Sequence, residues 1–151
     1  MTATKTLNDI IETLKDGQQG FQTAAEDVEN PKLKTLFSEY SLQRATFAGD
    51  LQELARSLGE PEPEDQGSIA GAVHRGWIDL KAALMSRDEH AVLAECERGE
   101  DVAVKAYKDA LEDVDLASNV RQTLQKQFTH VQAAHDRVRN LRDSYKKETV
   151  E

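Results

Sequence analysis

The chain has one cysteine, three prolines, one tryptophan and only 5% aromatic residues. A single thiol, Cys96, excludes an intramolecular disulfide and suits a reducing compartment. With proline only at positions 31, 61 and 63, little interrupts helix formation, and a charged fraction of 31% favours helix over sandwich or barrel. No run approaches the roughly 18 apolar residues of a membrane-spanning helix. Basic charge is in deficit: 19 Lys and Arg stand against 28 Asp and Glu, for a net charge of −9, with the bases interspersed among acids. A chain of that sign repels phosphate backbones, so nucleic acid is not an expected partner, and neither is a membrane. The first residues, MTATKTLNDIIETL, have no long apolar core and no small-residue cleavage site. The expectation is a cytoplasmic protein without a secretory signal. At 151 residues the chain suffices for a single domain with a real core.

What the sequence does have is a repeat. GFQTAAEDV at 20–28 and AYKDALEDV at 106–114 each end a long amphipathic stretch, and each is followed by a short break and a second such stretch. Skipping one residue at the break aligns Leu33, Phe37, Tyr40, Phe47, Leu51 and Leu54 with Val120, Leu124, Gln127, Ala134, Val138 and Leu141. Two such helical hairpins make a four-helix bundle.

The first helix is expected over about 7–29, with Thr6 as its cap and Leu7, Ile10, Ile11, Leu14, Phe21, Ala24, Ala25 and Val28 in one stripe. Gly17 and Gly20 lie on or beside that stripe. Each costs roughly 1 kcal/mol relative to Ala, so close approach of a helix or a bulky side chain is expected there. Asn30 then Pro31 opens a second helix, whose inner face includes Arg44 and which Gly59 ends. A short helix is predicted over 68–85. Ser86 with Glu89 reads as a capping box for a helix reaching about Val114, and Asp115 as the cap of the last. The domain is thus one hairpin at 7–58, a crossover at 59–86 and a second hairpin at 87–145. A single long crossover between hairpins is the ferritin-like form of the bundle; an up-down bundle with an extra helix is the competing arrangement.

A ferritin-like metal centre needs a Glu from each of two helices and Glu-x-x-His from each of the others. Counting outward from the tight loops, Asp16 and Gln19 lie level with Gln43 and Tyr40, and Glu100 and Ala103 lie level with His130 and Gln127. The second helix therefore offers Tyr40-x-x-Gln43 and the last Gln127-x-x-His130. The candidate metal ligands are Asp16, Glu100, Gln127 and His130, with Gln43 a weak fifth. Amides are poor ligands for iron, manganese or zinc, so polar core residues that fix helix register are the competing reading. His135 points about 140° from His130 and reads as a hydrogen-bonded structural side chain. His90 reads as exposed and Cys96 as a buried inert thiol. The segment His74, Arg75, Gly76, Trp77 reads either as a docking surface or as an anchor in which Trp77 pins the short helix to the bundle. No catalytic constellation is present, and GSIAG at 67–71 lacks the ending of a phosphate-binding loop.

LNDIIETLKDG (7–17), GFQTAAEDV (20–28), GAVHRGWIDLK (71–81) and CERGEDVAVKAYKDAL (96–111) together resemble a bacterial family of four-helix-bundle proteins of unknown function in the ferritin-like superfamily. The likeness covers about 7–145. It implies an all-α ferritin-like bundle with no established enzyme activity. Superfamily relatives that handle iron or peroxide add, by analogy of fold alone, a stress-related role. The expected function is that of a non-catalytic bundle acting through self-assembly, with a dimer favoured, or through a protein partner. The alternative is an iron or manganese protein with a degenerate ferritin-like site that handles iron or oxidants.

Overall fold

The computed structural model describes residues 3–64 and 77–149. Among the described residues there is no strand and there are five helices: α1 (Ala3–Asp27), α2 (Pro31–Ser57), α3 (Leu80–Met85), α4 (Glu89–Leu111) and α5 (Ser118–Thr149). None of them is long and apolar enough to cross a membrane. The helix expected over 68–85 falls largely outside the described residues; within them, residues 77–79 form a turn and α3 alone is helical.

The buried stripes assemble into two apolar clusters. The first joins Leu7, Ile11 and Leu14 of α1 to Leu51 and Ala55 of α2, Val104 and Tyr107 of α4, and Val120 and Leu124 of α5. The second joins Phe21 and Ala24 of α1 to Leu33 and Phe37 of α2, Leu80 and Leu84 of α3, Leu93 and Cys96 of α4, and Val138 of α5. These memberships fix the helix directions. The start of α1, the end of α2, the end of α4 and the start of α5 share one cluster, so α2 and α4 run parallel. The connection between them therefore has to return the chain along the length of the molecule, as the long crossover requires. α1 packs closely on α2 and α4 on α5; α1 also lies along α4, whereas α2 and α5 touch little.

The helix ends follow local chemistry. Asn30 caps α2, its side-chain oxygen accepting from the Lys32 and Leu33 amides at 2.9 and 3.3 Å, ahead of Pro31 in the first turn. Its amide also donates to the Tyr145 hydroxyl at 2.8 Å, which ties the hairpin loop to α5. At the other end of α2, Gly59 has φ +101 and donates to the Arg56 carbonyl, while Glu60 donates to Ala55. That pair of bonds is the double closure that favours glycine at this position.

Three expected boundaries are corrected. α1 starts at Ala3, so Thr6 is inside the helix and is not its cap. Asp88, not Ser86, caps α4: its carboxylate accepts from the Ala91 amide at 3.2 Å, while the Ser86 hydroxyl donates back to Ala83 at 2.7 Å and closes α3. α4 ends at Leu111 and α5 begins at Ser118, past Asp115. There Arg121 reaches the Leu111 and Asp113 carbonyls and satisfies the end of α4 from the next helix.

The start of the crossover is tied down on both sides. Asn8 accepts from the Glu64 amide at 3.1 Å, and Gln52 donates to the Glu64 carbonyl at 2.9 Å. This brings Glu64 beside Glu12. Burial first, then the hydrogen bond and charge of Glu64, raise the Glu12 carboxyl from 4.5 to about 6. The folded chain thus holds a proton that the unfolded chain releases. The stability Glu12 contributes is complete below 4.5 and is lost as pH rises through 6. Glu12→Gln should therefore melt higher than the parent at neutral pH, by under about 1 kcal/mol after allowance for solvent screening. It should melt with the parent near pH 4.5. Equal melts at both pH values would show that Glu12 carries no such shift.

Candidate functional site

Between the two apolar clusters the core is polar. Arg44 on α2 and Glu100 on α4 are 1% and 0% exposed. Their side chains meet fork to fork: Arg44 Nη1 donates to Glu100 Oε1, and Nη2 donates to Oε2 at 2.7 Å. Gly17 on α1 lies against the Arg44 side chain, where a Cβ would stand in ordinary contact with Nη1 at 3.6 Å. The face of Phe21 lies 5.4 Å from Arg44 Cζ, a cation–π contact, and Gln43 Oε1 accepts from Nε at 3.1 Å. Burial alone would lower the Arg44 pKa; the charge and hydrogen bonds of Glu100 more than offset it and hold Arg44 above its ordinary range. Arg44 stays charged in the core because Glu100 is its counter-charge.

Two turns further along α4 a second polar contact crosses the core. The Tyr107 hydroxyl, its pKa pushed up by burial, donates to Gln127 Oε1 at 2.8 Å. Gln127 Nε2 in turn donates to the Phe47 carbonyl at 3.2 Å. Both ends of this amide are therefore used in joining α4, α5 and α2.

The structure places the four residues expected as metal ligands as follows. Asp16 is buried on α1. Glu100 gives both its oxygens to Arg44, and Gln127 is taken up by Tyr107 and Phe47. His130 is exposed, its ring 6.0 Å from that of Phe47, because α2 and α5 stand apart at this level and the imidazole turns out into the opening. Gln43 is engaged with Arg44. Asp16, Glu100 and His130 do not bring ligand atoms together. Among the described residues, the one such group of three is Glu97, Asp101 and His135, whose ligand atoms lie within 4.8 Å of one another.

That group sits on the outer side of the α4–α5 pair. His135 Nε2 is 2.6 Å from Asp101 Oδ1 and 3.8 Å from Glu97 Oε2, and Nδ1 is 3.1 Å from Asp136 Oδ1. Glu97 is also bound by Arg142. Burial would lower the His135 pKa, but its bonds to Asp136 and Asp101 reverse the effect and raise it. The sequence reading had His135 as a hydrogen-bonded side chain and missed the company it keeps. The signal was Glu97-x-x-x-Asp101, an i,i+4 pair of carboxylates that a helix places on one face.

Trp77 fills a slot made by two glycines. Gly20 on α1 and Gly99 on α4 both lie against the indole, so close that a Cβ on either would overlap the ring. Phe21 meets the same ring edge-on at 5.1 Å. The anchor reading of Trp77 thus has a partner on each hairpin. His74 and Arg75, grouped with Trp77 as a docking surface, lie outside the described residues. Cys96 is 0% exposed beneath these contacts, and burial, with the Glu100 and Glu95 charges, pushes its thiol pKa well up. It is an inert core side chain.

A family described as Domain of unknown function (DUF2383) matches residues 2–113. The chain belongs to the DUF2383 family. The DUF2383 match takes in both partners of the Arg44–Glu100 pair and all three members of the Gly20–Trp77–Gly99 slot, whereas Gln127, His130 and His135 lie beyond it. No curated protein matches the chain.

Proposed function

We propose that this DUF2383 chain is a ferritin-like four-helix bundle without a core metal centre, and that it acts non-catalytically by associating with a second copy of itself. The parallel course of α2 and α4 supports the ferritin-like arrangement, since it calls for one long crossover. The observation that carries the rest is the Arg44–Glu100 pair. At the level where such a bundle would hold metal ions, a guanidinium supplies the positive charge and occupies both oxygens of the one fully buried carboxylate. A fixed organic cation there supplies the charge that a metal ion would bring, and it fixes helix register.

The seam between α2 and α5 supports association. Tyr40, Phe47 and Leu54 recur at seven-residue spacing along α2, half-buried, and Leu141 lies across from them on α5. The two helices barely touch, and adjoining cavities of about 540 and 680 Å³, which share His130, open between them. A half-exposed heptad stripe of this kind is the face a further helix would cover. Light scattering from low to high micromolar concentration should show a dimer, and Ala133→Glu, on the exposed rim of the seam, should give a monomer. Leu42→Glu, 69% exposed on another face, should leave the dimer intact. A wild-type chain monomeric throughout would end the association reading, and a dimer lost only in Leu42→Glu would move it to another surface.

A further inference from the structure

We propose that Glu97, Asp101 and His135 form a binding site for one divalent transition-metal ion, with Zn(II) as its probe, on the outer face of α4 and α5. In tetrahedral geometry, oxygen and nitrogen ligands at about 2.0–2.2 Å from a shared ion stand about 3.3–3.6 Å from one another. The observed separations from His135 Nε2, 2.6 Å to Asp101 and 3.8 Å to Glu97, bracket that spacing. The three ligand atoms all lie within 4.8 Å of one another. The two carboxylates come from one helix at i,i+4 and the imidazole from its neighbour, so the backbone already holds the three atoms to one side of a shared point.

The surroundings are those of a metal-binding histidine. Nδ1 faces the Asp136 carboxylate at 3.1 Å, which fixes the ring and leaves Nε2 as the ligand atom; metal-bound imidazoles are held this way as a rule. Without a cation, a proton on Nε2 bridges to Asp101, and a divalent ion replaces that proton. Glu97 keeps Arg142 on Oε1 and turns Oε2 toward His135, so it can ligate without giving up its partner. Charge also suits the ion. Four carboxylates (Glu97, Asp101, Asp136 and Asp143) stand against two guanidinium groups (Arg139 and Arg142), which leaves two negative charges for a dication. Glu97 and His135 are 13% and 12% exposed and Asp101 62%, so the site is walled on one side and opens to water on the other. Water would complete the coordination. An imidazole with two carboxylates selects zinc and its neighbours over magnesium or calcium, which take oxygen alone.

Calorimetric titration of the full chain with Zn(II) tests this. The expected result is one ion per chain, with affinity falling by more than about 100-fold in His135→Gln and in Asp101→Asn, and by about 10- to 100-fold in Asp136→Asn. Asp101 is largely exposed, so Asp101→Asn separates loss of a ligand from loss of fold. His130→Gln, on the opposite seam, should bind as the parent does. Failure of the wild type to take up Zn(II) at high micromolar concentration overturns the proposal, as does uptake unchanged in His135→Gln and Asp101→Asn. A strictly monomeric chain that binds Zn(II) here would sink the association reading and leave this one standing.

Discussion

Removing one partner of the Arg44–Glu100 pair is expected to cost about 3–5 kcal/mol, since it strands an uncompensated charge in the core. Domain stabilities are typically about 5–15 kcal/mol, so Arg44→Met or Glu100→Leu alone should bring the chain close to unfolding at room temperature. The double substitution removes both charges together. It should recover most of the loss, because well-packed apolar residues in place of a buried pair are neutral or stabilising by roughly 1–4 kcal/mol. Urea unfolding of the four members of the cycle measures this directly. Single losses of under about 1 kcal/mol, as for a solvated surface pair, would show that the two side chains are not desolvated as described.

The second large effect should come with an inverted sign. In a helix interior Ala is favoured over Gly by about 1 kcal/mol, so propensity alone makes Gly20→Ala and Gly99→Ala stabilising. The indole of Trp77 forbids it. A Cβ at either position overlaps the ring, by Cδ2, Cε3 and Cζ3 at Gly20 and by Cε2, Cζ2 and Nε1 at Gly99. Overpacking of a tight core costs about 1–3 kcal/mol, and a rigid ring displaced from a contact this short outweighs the helix propensity gained, so each substitution should be destabilising overall. In a Trp77→Ala background, itself weakened by about 3 kcal/mol, the slot is vacated and Gly20→Ala should turn stabilising. Thermal melts of the single and double variants decide the matter. A Gly20→Ala chain more stable than the parent would mean that Trp77 does not occupy the slot.

Much of this was legible in the sequence, and the residues show why. The stripe from Leu7 to Val28, the Asn30–Pro31 start and the Gly59 stop are local signals, and the structure follows them. The cost of Gly20 in a helix pointed to a bulky neighbour, and its partner is Trp77. Arg44 was placed on the inner face by periodicity alone. What periodicity could not supply was its counter-charge, 56 residues away on another helix. With that pairing unseen, Glu100 read as a ligand. The exposure of His130 was not legible for a related reason: counting residues from a loop gives height along the bundle but not the spread between helices, and α2 and α5 make few contacts. The cap at Asp88 in place of Ser86 is a two-residue matter, settled by which side chain the α3 end already needs.

The Gly20–Trp77–Gly99 slot makes the molecule its own assay. One wall comes from the first hairpin, the other from the second, and the occupant from the crossover between them. Because the chain contains no other tryptophan, indole emission reports on this slot alone. Circular dichroism counts helix; fluorescence of the same sample counts docked halves. Any gap between the two curves is the population in which the helices exist and the slot is not filled.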